Sequence, residues 1–565
     1  MRLFAPAFLA AAAVLPAAER TAFVNGHILT VDPQFRIRSS LVIEGERIIA
    51  TDDPKAVDSA AKVIDLAGAT VLPGLIDSHV HATGASTYEF DHQIPEMETI
   101  ESVLAYIRQR AKVVPEGEWI NLNQVFITRL REQRFPTRQE LDTAAPQHPV
   151  AFRTGPDAAL NSLALQLSGI DRNFQITDGL PGKIERDASG EPTGIIRAGG
   201  RLIKSRSGAK SPDFATQVDR LAELLADYNK AGITSIADRN ASDGGVALYK
   251  ALRDRSRLTC RVYLYYGVNA QSPEDEALAA IAKAADHPLH AYDPWLWLRG
   301  IKIFLDGGML TGSAYMNKPW GVSPAYGIDD PAYRGMRYIE PDKLYRLAKA
   351  ALSRELQFTA HSVGDGAVET LVDTYARIAE NDFPVREARP CVTHCNFMSA
   401  RAIDLMATHG IVADLQPVWL FLDGKTLLKQ FGEDRLTWFQ PYHTLFAKGV
   451  KVGGGSDHMQ KIGGMRSVNP YNPFLGIWTT LTRVPRWQAG ALHPEQVISR
   501  EQAIILYTIN NAWLSFEEKE KGSLEAGKLA DFIVIDRDIL TCPVDAIREI
   551  QVKETWVGGR KVHPR

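Results

Sequence analysis

His79 and His81 stand two apart in the run Asp77-Ser78-His79-Val80-His81. In a β-strand, residues two apart point to the same side, so the two imidazoles could share one metal ion. The spacing suits a pair of hydrogen-bonded core histidines equally well, and taken alone it does not decide. Further residues of the same kind follow. His361 ends QFTAH, His394 ends PCVTH, and Asp457 ends KVGGGSD after three glycines that let backbone approach closely. Lys302 lies inside GIKIFLD. A buried lysine needs a carboxylate partner or a chemical change. Four histidines, one aspartate and one lysine thus fall at or near the C-terminal ends of five expected strands.

Those side chains need a frame. Eight short apolar segments read as buried strands: 75–81, 233–238, 261–266, 300–306, 357–361, 390–394, 411–416 and 451–457. Between them the apolar residues recur at helical spacing, as in Phe214, Val218, Leu221, Leu225 and Tyr228, or Leu344, Leu347, Ala351 and Leu352. Eight strands alternating with helices imply a closed (β/α)8 TIM barrel of the α/β class, here over residues 73–514. About 150 residues separate the first two strands, far more than one crossover uses. Residues 85–212 are therefore expected to be an inserted subdomain that overhangs the C-terminal face as a lid or substrate wall. Its stretch GLPGKIERDASGEPTG reads as hairpins. Both chain ends are β-rich, with Asn25-Gly26, Glu44-Gly45 and Gly558-Gly559 as turn signals. Residues 19–72 and 515–565 are expected to form one composite β-sandwich.

Composition narrows the partners. The chain is 45% hydrophobic and 23% charged, which predicts a folded protein rather than a disordered one. A net charge of −3 and the lack of a Lys/Arg-rich run argue against nucleic acid and for a small-molecule substrate. Arg2 and the uncharged run from Leu3 to Ala18 read as a signal peptide over residues 1–18, too short for a stable membrane span. A retained anchor is the alternative reading. The expectation is a periplasmic or secreted protein. Cys260, Cys391, Cys395 and Cys542 are too scattered for a disulfide scaffold and read as small hydrophobes. Oligomeric state, with a homodimer as one option, is not legible here.

The segments VLPGLIDSHVHATG, HSVGDGAVETLVD, QPVW, GSDHM and GSLEAGKLADFIVID resemble the amidohydrolase superfamily. Within it they are similar to amidohydrolase family 3, the YtcJ-like hydrolases, over most of the chain after the signal. That resemblance implies one or two divalent metal ions, with zinc well suited to imidazole and carboxylate ligands. His79, His81 and Asp457 would hold one ion, and His361 and His394 the second. Lys302 would bridge them as a carbamate formed with carbon dioxide. An ammonium 4 Å from a divalent cation is repelled by about 8 kcal/mol at an effective dielectric of 20, and a carbamate reverses that sign. The alternative is a plain Lys302 ammonium paired with Asp306 beside a mononuclear site. Asp457 would also be the catalytic base and acid, or else a ligand only.

The implied reaction is hydrolysis of a non-peptide C–N bond in an amide, N-acyl compound, formamide or cyclic amide by metal-activated hydroxide. Ester, lactone or amidine hydrolysis, metal-assisted isomerisation or hydration, and an inactive binding homologue are the alternatives. The chain departs from the family pattern in three places. Thr154-Gly155-Pro156-Asp157 lacks the usual histidine, although Asn161-Ser162 is retained. Thr393 precedes His394 where a charge is usual, and His458-Met459 follow Asp457. His458 reads as a substrate contact or a satisfied neighbour of the ligands. Tyr315, Trp320 and Trp419 read as pocket-lining or, preferably, packing residues. Substrate-binding residues are otherwise unassigned.

Overall fold

The computed structural model describes residues 19–564 apart from 124, 156, 179–181, 207–209 and 465–467. The expected signal peptide and Pro156 lie outside the described residues.

All eight expected barrel segments are strands: β1 (Leu75–Val80), β2 (Ile233–Ala241), β3 (Arg261–Gly267), β4 (Leu296–Phe304), β5 (Gln357–Ser362), β6 (Cys391–His394), β7 (Val412–Leu415) and β8 (Val452–Gly454). They pair in chain order, and every pair is parallel. β4 begins four residues earlier than expected. Its first residues Leu296, Trp297 and Leu298 are all buried, so the run is apolar on both faces. It also ends before Asp306, whose carboxylate is taken up by loop amides instead.

β8 is the shortest strand, and the seam to β1 is built beyond its end. Ser456 N–H donates to Asp77 Oδ1 (3.0 Å), Asp457 N–H to the His79 carbonyl (2.8 Å), and His81 N–H to the His458 carbonyl (2.8 Å). Gly455 permits this closeness, since a Cβ there would lie 2.8 Å from the His79 nitrogen. The barrel thus closes through the same residues that could carry the chemistry.

The helix Phe214–Lys230 buries Val218, Leu221, Leu225 and Tyr228 as expected, but Phe214 is exposed. It is the first helical residue after the Asp213 N-cap and lies outside the packed stripe. Leu344, Leu347, Ala351 and Leu352 are all buried in Pro341–Leu352. The four cysteines are free, three of them buried.

Both chain ends meet in a six-stranded sheet, where Phe532–Ile535 lies between Thr70–Pro73 and Val552–Val557. A four-stranded sheet from residues 20–65 faces it across an apolar layer that includes Phe23, Ile43, Phe532 and Trp556. The segment between β1 and β2 carries its own five-stranded sheet, in which Lys183–Arg186 and Pro192–Arg197 form a hairpin. A core around Ile107, Leu141 and Phe152 supports it. Arg129 pins this segment to the barrel rim with two parallel hydrogen bonds to Asp423 (2.9 and 2.8 Å). Among the described residues no helix is long and apolar enough to cross a membrane.

Candidate metal centre

Strand alternation puts His79 and His81 on one side of β1, and the seam brings Asp457 against them. Asp457 Oδ1 lies 3.2 Å from His79 Nε2 and 3.1 Å from His81 Nε2. One ligand atom from each of the three residues falls within 4.8 Å of the others. His394 stacks beside His79 with ring centroids 4.9 Å apart, and His361 meets His394 edge-on at 4.5 Å. Asp457 and His394 hold left-handed backbone, with φ of 54° and 72°. Non-glycine residues adopt that conformation sparingly, and it recurs at functional sites.

Each of three imidazoles has one nitrogen tied to an acceptor, which fixes the other as a lone pair. His79 Nδ1 donates to Asp414 Oδ2 (3.3 Å), His394 Nδ1 to Gln416 Oε1 (2.7 Å), and His361 Nε2 to the Gly307 carbonyl (3.2 Å). Burial holds all three below the usual histidine range. The Lys302 ammonium adds to this at His79 and brings His361 to about 3; at His394 the next contribution comes from His361. Neutral imidazole is the ligand form.

The fit to a cation is direct. His79 Nε2 is buried and lacks a hydrogen-bond partner, while facing a carboxylate oxygen. Two lone pairs at 3.2 Å repel unless a positive charge lies between them.

Lys302 is 1% exposed and makes no ion pair among the described residues. Burial and the Arg239 guanidinium lower it to about 7, against the pull of Asp457 and Asp414. The alternative pairing with Asp306 is absent. Asp306 instead accepts the amides of Tyr315 (2.9 Å), Val363 (3.0 Å) and Gly364 (3.0 Å).

A charged layer below the ligands escaped the sequence reading. Asp414 accepts from Ser78 Oγ and His79 Nδ1 and forms an ion pair with Arg239 (3.2 Å), all fully buried. Arg239 also donates to Thr393 Oγ1 (2.8 Å), which gives the unusual threonine a role. Asn469 Nδ2 reaches both the carbonyl (2.6 Å) and Oδ2 (3.2 Å) of Asp457. Its own Oδ1 is held by Arg129 (2.7 Å). Asp414 stands within the apolar strand β7 and Gln416 just past its end, the same contrast that singles out Lys302.

Other candidates take packing roles. His458 uses both ring nitrogens, on Tyr228 Oη (2.8 Å) and the Gln460 carbonyl (2.6 Å), and burial lowers it to about 4. It is a satisfied neighbour, not a substrate contact. Trp320 is buried and donates to Ala314, Trp419 stacks on His394, and Tyr315 lies against Gly366. Asp157 turns to Arg197 (3.3 Å) and the Ala198 amide (2.8 Å), within the inserted sheet. Asn161 caps the helix Ser162–Ser168. A cavity of about 720 Å³ lies between the inserted segment and the rim, with Phe126, Phe421 and Trp478 in its wall. It touches none of the candidate ligands, and Asn469 stands between Arg129 in that wall and Asp457.

A (β/α)8 barrel with histidines and an acid gathered at its C-terminal mouth defines a metal-dependent hydrolase. The particular family follows from comparison. The model of the Amidohydrolase family matches residues 62–563, and the chain belongs to that family, in the branch its motifs resemble. It is 28% identical over 562 residues to an N-substituted formamide deformylase of Arthrobacter pascens, covering 95% of this chain and 97% of that one. It is 25% identical to the protein YtcJ of Bacillus subtilis, over 89% of this chain and 90% of the relative. A metal-dependent hydrolase from Pyrococcus furiosus shares the fold at a TM-score of 0.66 and 22% identity, covering 92% of this chain and all of that one. The protein is accordingly a hydrolase acting on carbon–nitrogen bonds.

Asn469→Ala will free one oxygen of Asp457 without removing any ligand. We expect metal content to be retained and kcat to fall about 10- to 100-fold, with both measured on one preparation.

Proposed function

We propose that the protein hydrolyses a small amide, N-acyl compound, formamide or cyclic amide, releasing a carboxylic acid and an amine. The observation that carries this reading is the convergence of His79 Nε2, His81 Nε2 and Asp457 Oδ1, with the His79 nitrogen buried and without a hydrogen-bond partner. The formamide deformylase relative supports the choice of bond.

His79, His81 and Asp457 would hold one divalent ion, and His361 with His394 would hold a second. Imidazole and carboxylate donors suit zinc. Lys302 would serve both as a carbamate: its neutral amine would form a bond to the carbon of carbon dioxide and lose one proton. Burial, which disfavours the ammonium, supports this reaction. Bound metal supplies a Lewis acid for the carbonyl and lowers the pKa of a water molecule.

Asp457 does the proton work. Asn469 fixes its orientation, so Asp457 can take a proton from the attacking water and return it to the leaving nitrogen. Asp414 and Gln416 keep His79 and His394 in the tautomers that offer a lone pair. His81 and His361 are the ring ligands partly open to the mouth, and substrate approaches from their side.

The test is metal per chain, on protein purified without chelator, beside amine release from a panel of amides and matched esters. Two metals and amine release are expected. Ester cleavage without amine release would overturn the bond assignment. A metal-free protein after supplementation would overturn the centre itself.

A further inference from the structure

β4 offers a side chain that no proposed step uses. Its alternation sets Gly300, Lys302 and Phe304 on one side, facing the barrel interior. Lys302 is 1% exposed, yet Phe304, one pleat further toward the mouth, is 42% exposed. An inward-facing aromatic ring left that open marks where the mouth meets solvent.

The ring sits on the metal centre. Phe304 and His361 are register partners across the β4–β5 ladder. Their ring centroids are 5.4 Å apart, tilted by 34°, and Lys302 Nζ lies 5.4 Å from the Phe304 centroid. Beside the ring is a cavity of about 380 Å³, bounded by Phe304, Tyr338 and residues 268–271 that follow β3. The Val268 amide is anchored on the Lys302 carbonyl (2.9 Å), so this wall is fixed to the strand that carries the lysine. Among the described residues no charged side chain lines the cavity, whose polar groups are the Asn269 and Gln271 amides and the Tyr338 hydroxyl. The larger cavity near Asn469 lacks this direct contact with the ligand rings.

We propose that Phe304 and this cavity form the substrate subsite that selects an uncharged apolar group on the scissile amide. The inference rests on the hydrolase reading and adds the class of substituent. An apolar chain laid on the Phe304 ring leaves water, and each methylene is expected to improve kcat/KM by about fourfold until the cavity fills. An ionised carboxylate on the same chain finds no counter-charge and is rejected.

The experiment uses the metal-loaded enzyme with two series, primary amides from acetamide to hexanamide and formamides from N-methyl to N-butyl. Each long member is paired with its terminal-carboxylate analogue. In at least one series the parent is expected to show the fourfold step per methylene and to discriminate at least 20-fold against the carboxylate. Phe304→Ala should reduce the step to under twofold, while Phe304→Leu keeps most of it. An unchanged step in Phe304→Ala, or a carboxylate turned over as well as its neutral partner, overturns the subsite. If the parent cleaves no amide, the hydrolase reading fails separately. The subsite is then decided by calorimetry with hexan-1-ol: at least fivefold weaker binding to Phe304→Ala sustains it, and equal binding overturns it.

Discussion

Lys302→Met will lower turnover by orders of magnitude and yet stabilise the metal-free protein. Methionine matches the length of the lysine stem and fills a buried site without a charge. In the parent, an amine that is 1% exposed has no ion pair among the described residues. Replacing such a buried charge by a hydrophobe of similar volume is worth about 1–4 kcal/mol. The effect is pH-dependent, with a definite sign. The folded-state pKa is lowered to about 7 from the ordinary 10.5. Between those values the unfolded chain binds a proton that the folded chain does not, so parent stability rises with pH by about 1.4 kcal/mol per unit. The methionine variant lacks this slope, so its advantage is largest near pH 7 and shrinks toward pH 10. Urea unfolding of both chelated proteins at pH 7 and 9 measures it. On the metal side we expect one ion or none per chain and a fall in kcat on the order of 10³-fold. Two ions retained with activity within tenfold would remove Lys302 from the centre.

Asp457→Asn separates chemistry from folding. Asparagine keeps the shape of the side chain and tolerates the left-handed backbone at φ 54° as well as aspartate does. It removes the charge and the proton acceptor. We expect kcat to drop about 10²- to 10⁴-fold with the melting temperature little changed. Asp457→Val, by contrast, should also cost about 1–2 kcal/mol of stability, because a β-branched residue is strained there. Activity within tenfold of the parent in the asparagine variant would reduce Asp457 to a ligand alone.

The barrel was legible because its signals are local. Each strand is a short apolar run, and the ligands stand at the ends of those runs, where charge or imidazole contrasts with what precedes it. Lys302 was visible for that reason. Asp414 gives the same contrast in β7, Gln416 just beyond its end, and Arg239 in β2. What hid their roles was that the partners lie far off in sequence: Asp414 reaches back to Ser78 and His79, and Gln416 to His394. Asn469 lies in a loop without periodicity, and only the fold brings it to Asp457 and Arg129. Phe304 is, in sequence, one more apolar residue of the segment GIKIFLD. It is the last residue of β4, and the chain beyond it turns to Asp306, which takes up loop amides.

The composite sheet has a consequence for how the chain is made. Thr70–Pro73 emerges early in synthesis, but its neighbour Phe532–Ile535 comes some 460 residues later. Until then one edge of an apolar strand stands unpaired, a template for pairing with other chains. Closing so long a loop is slow compared with pairing inside the inserted segment, whose strands are local. A nascent chain would therefore depend on chaperone cover from its first strands to nearly its last, and a ribosome stalled before residue 532 would release an aggregation-prone fragment rather than a stable barrel.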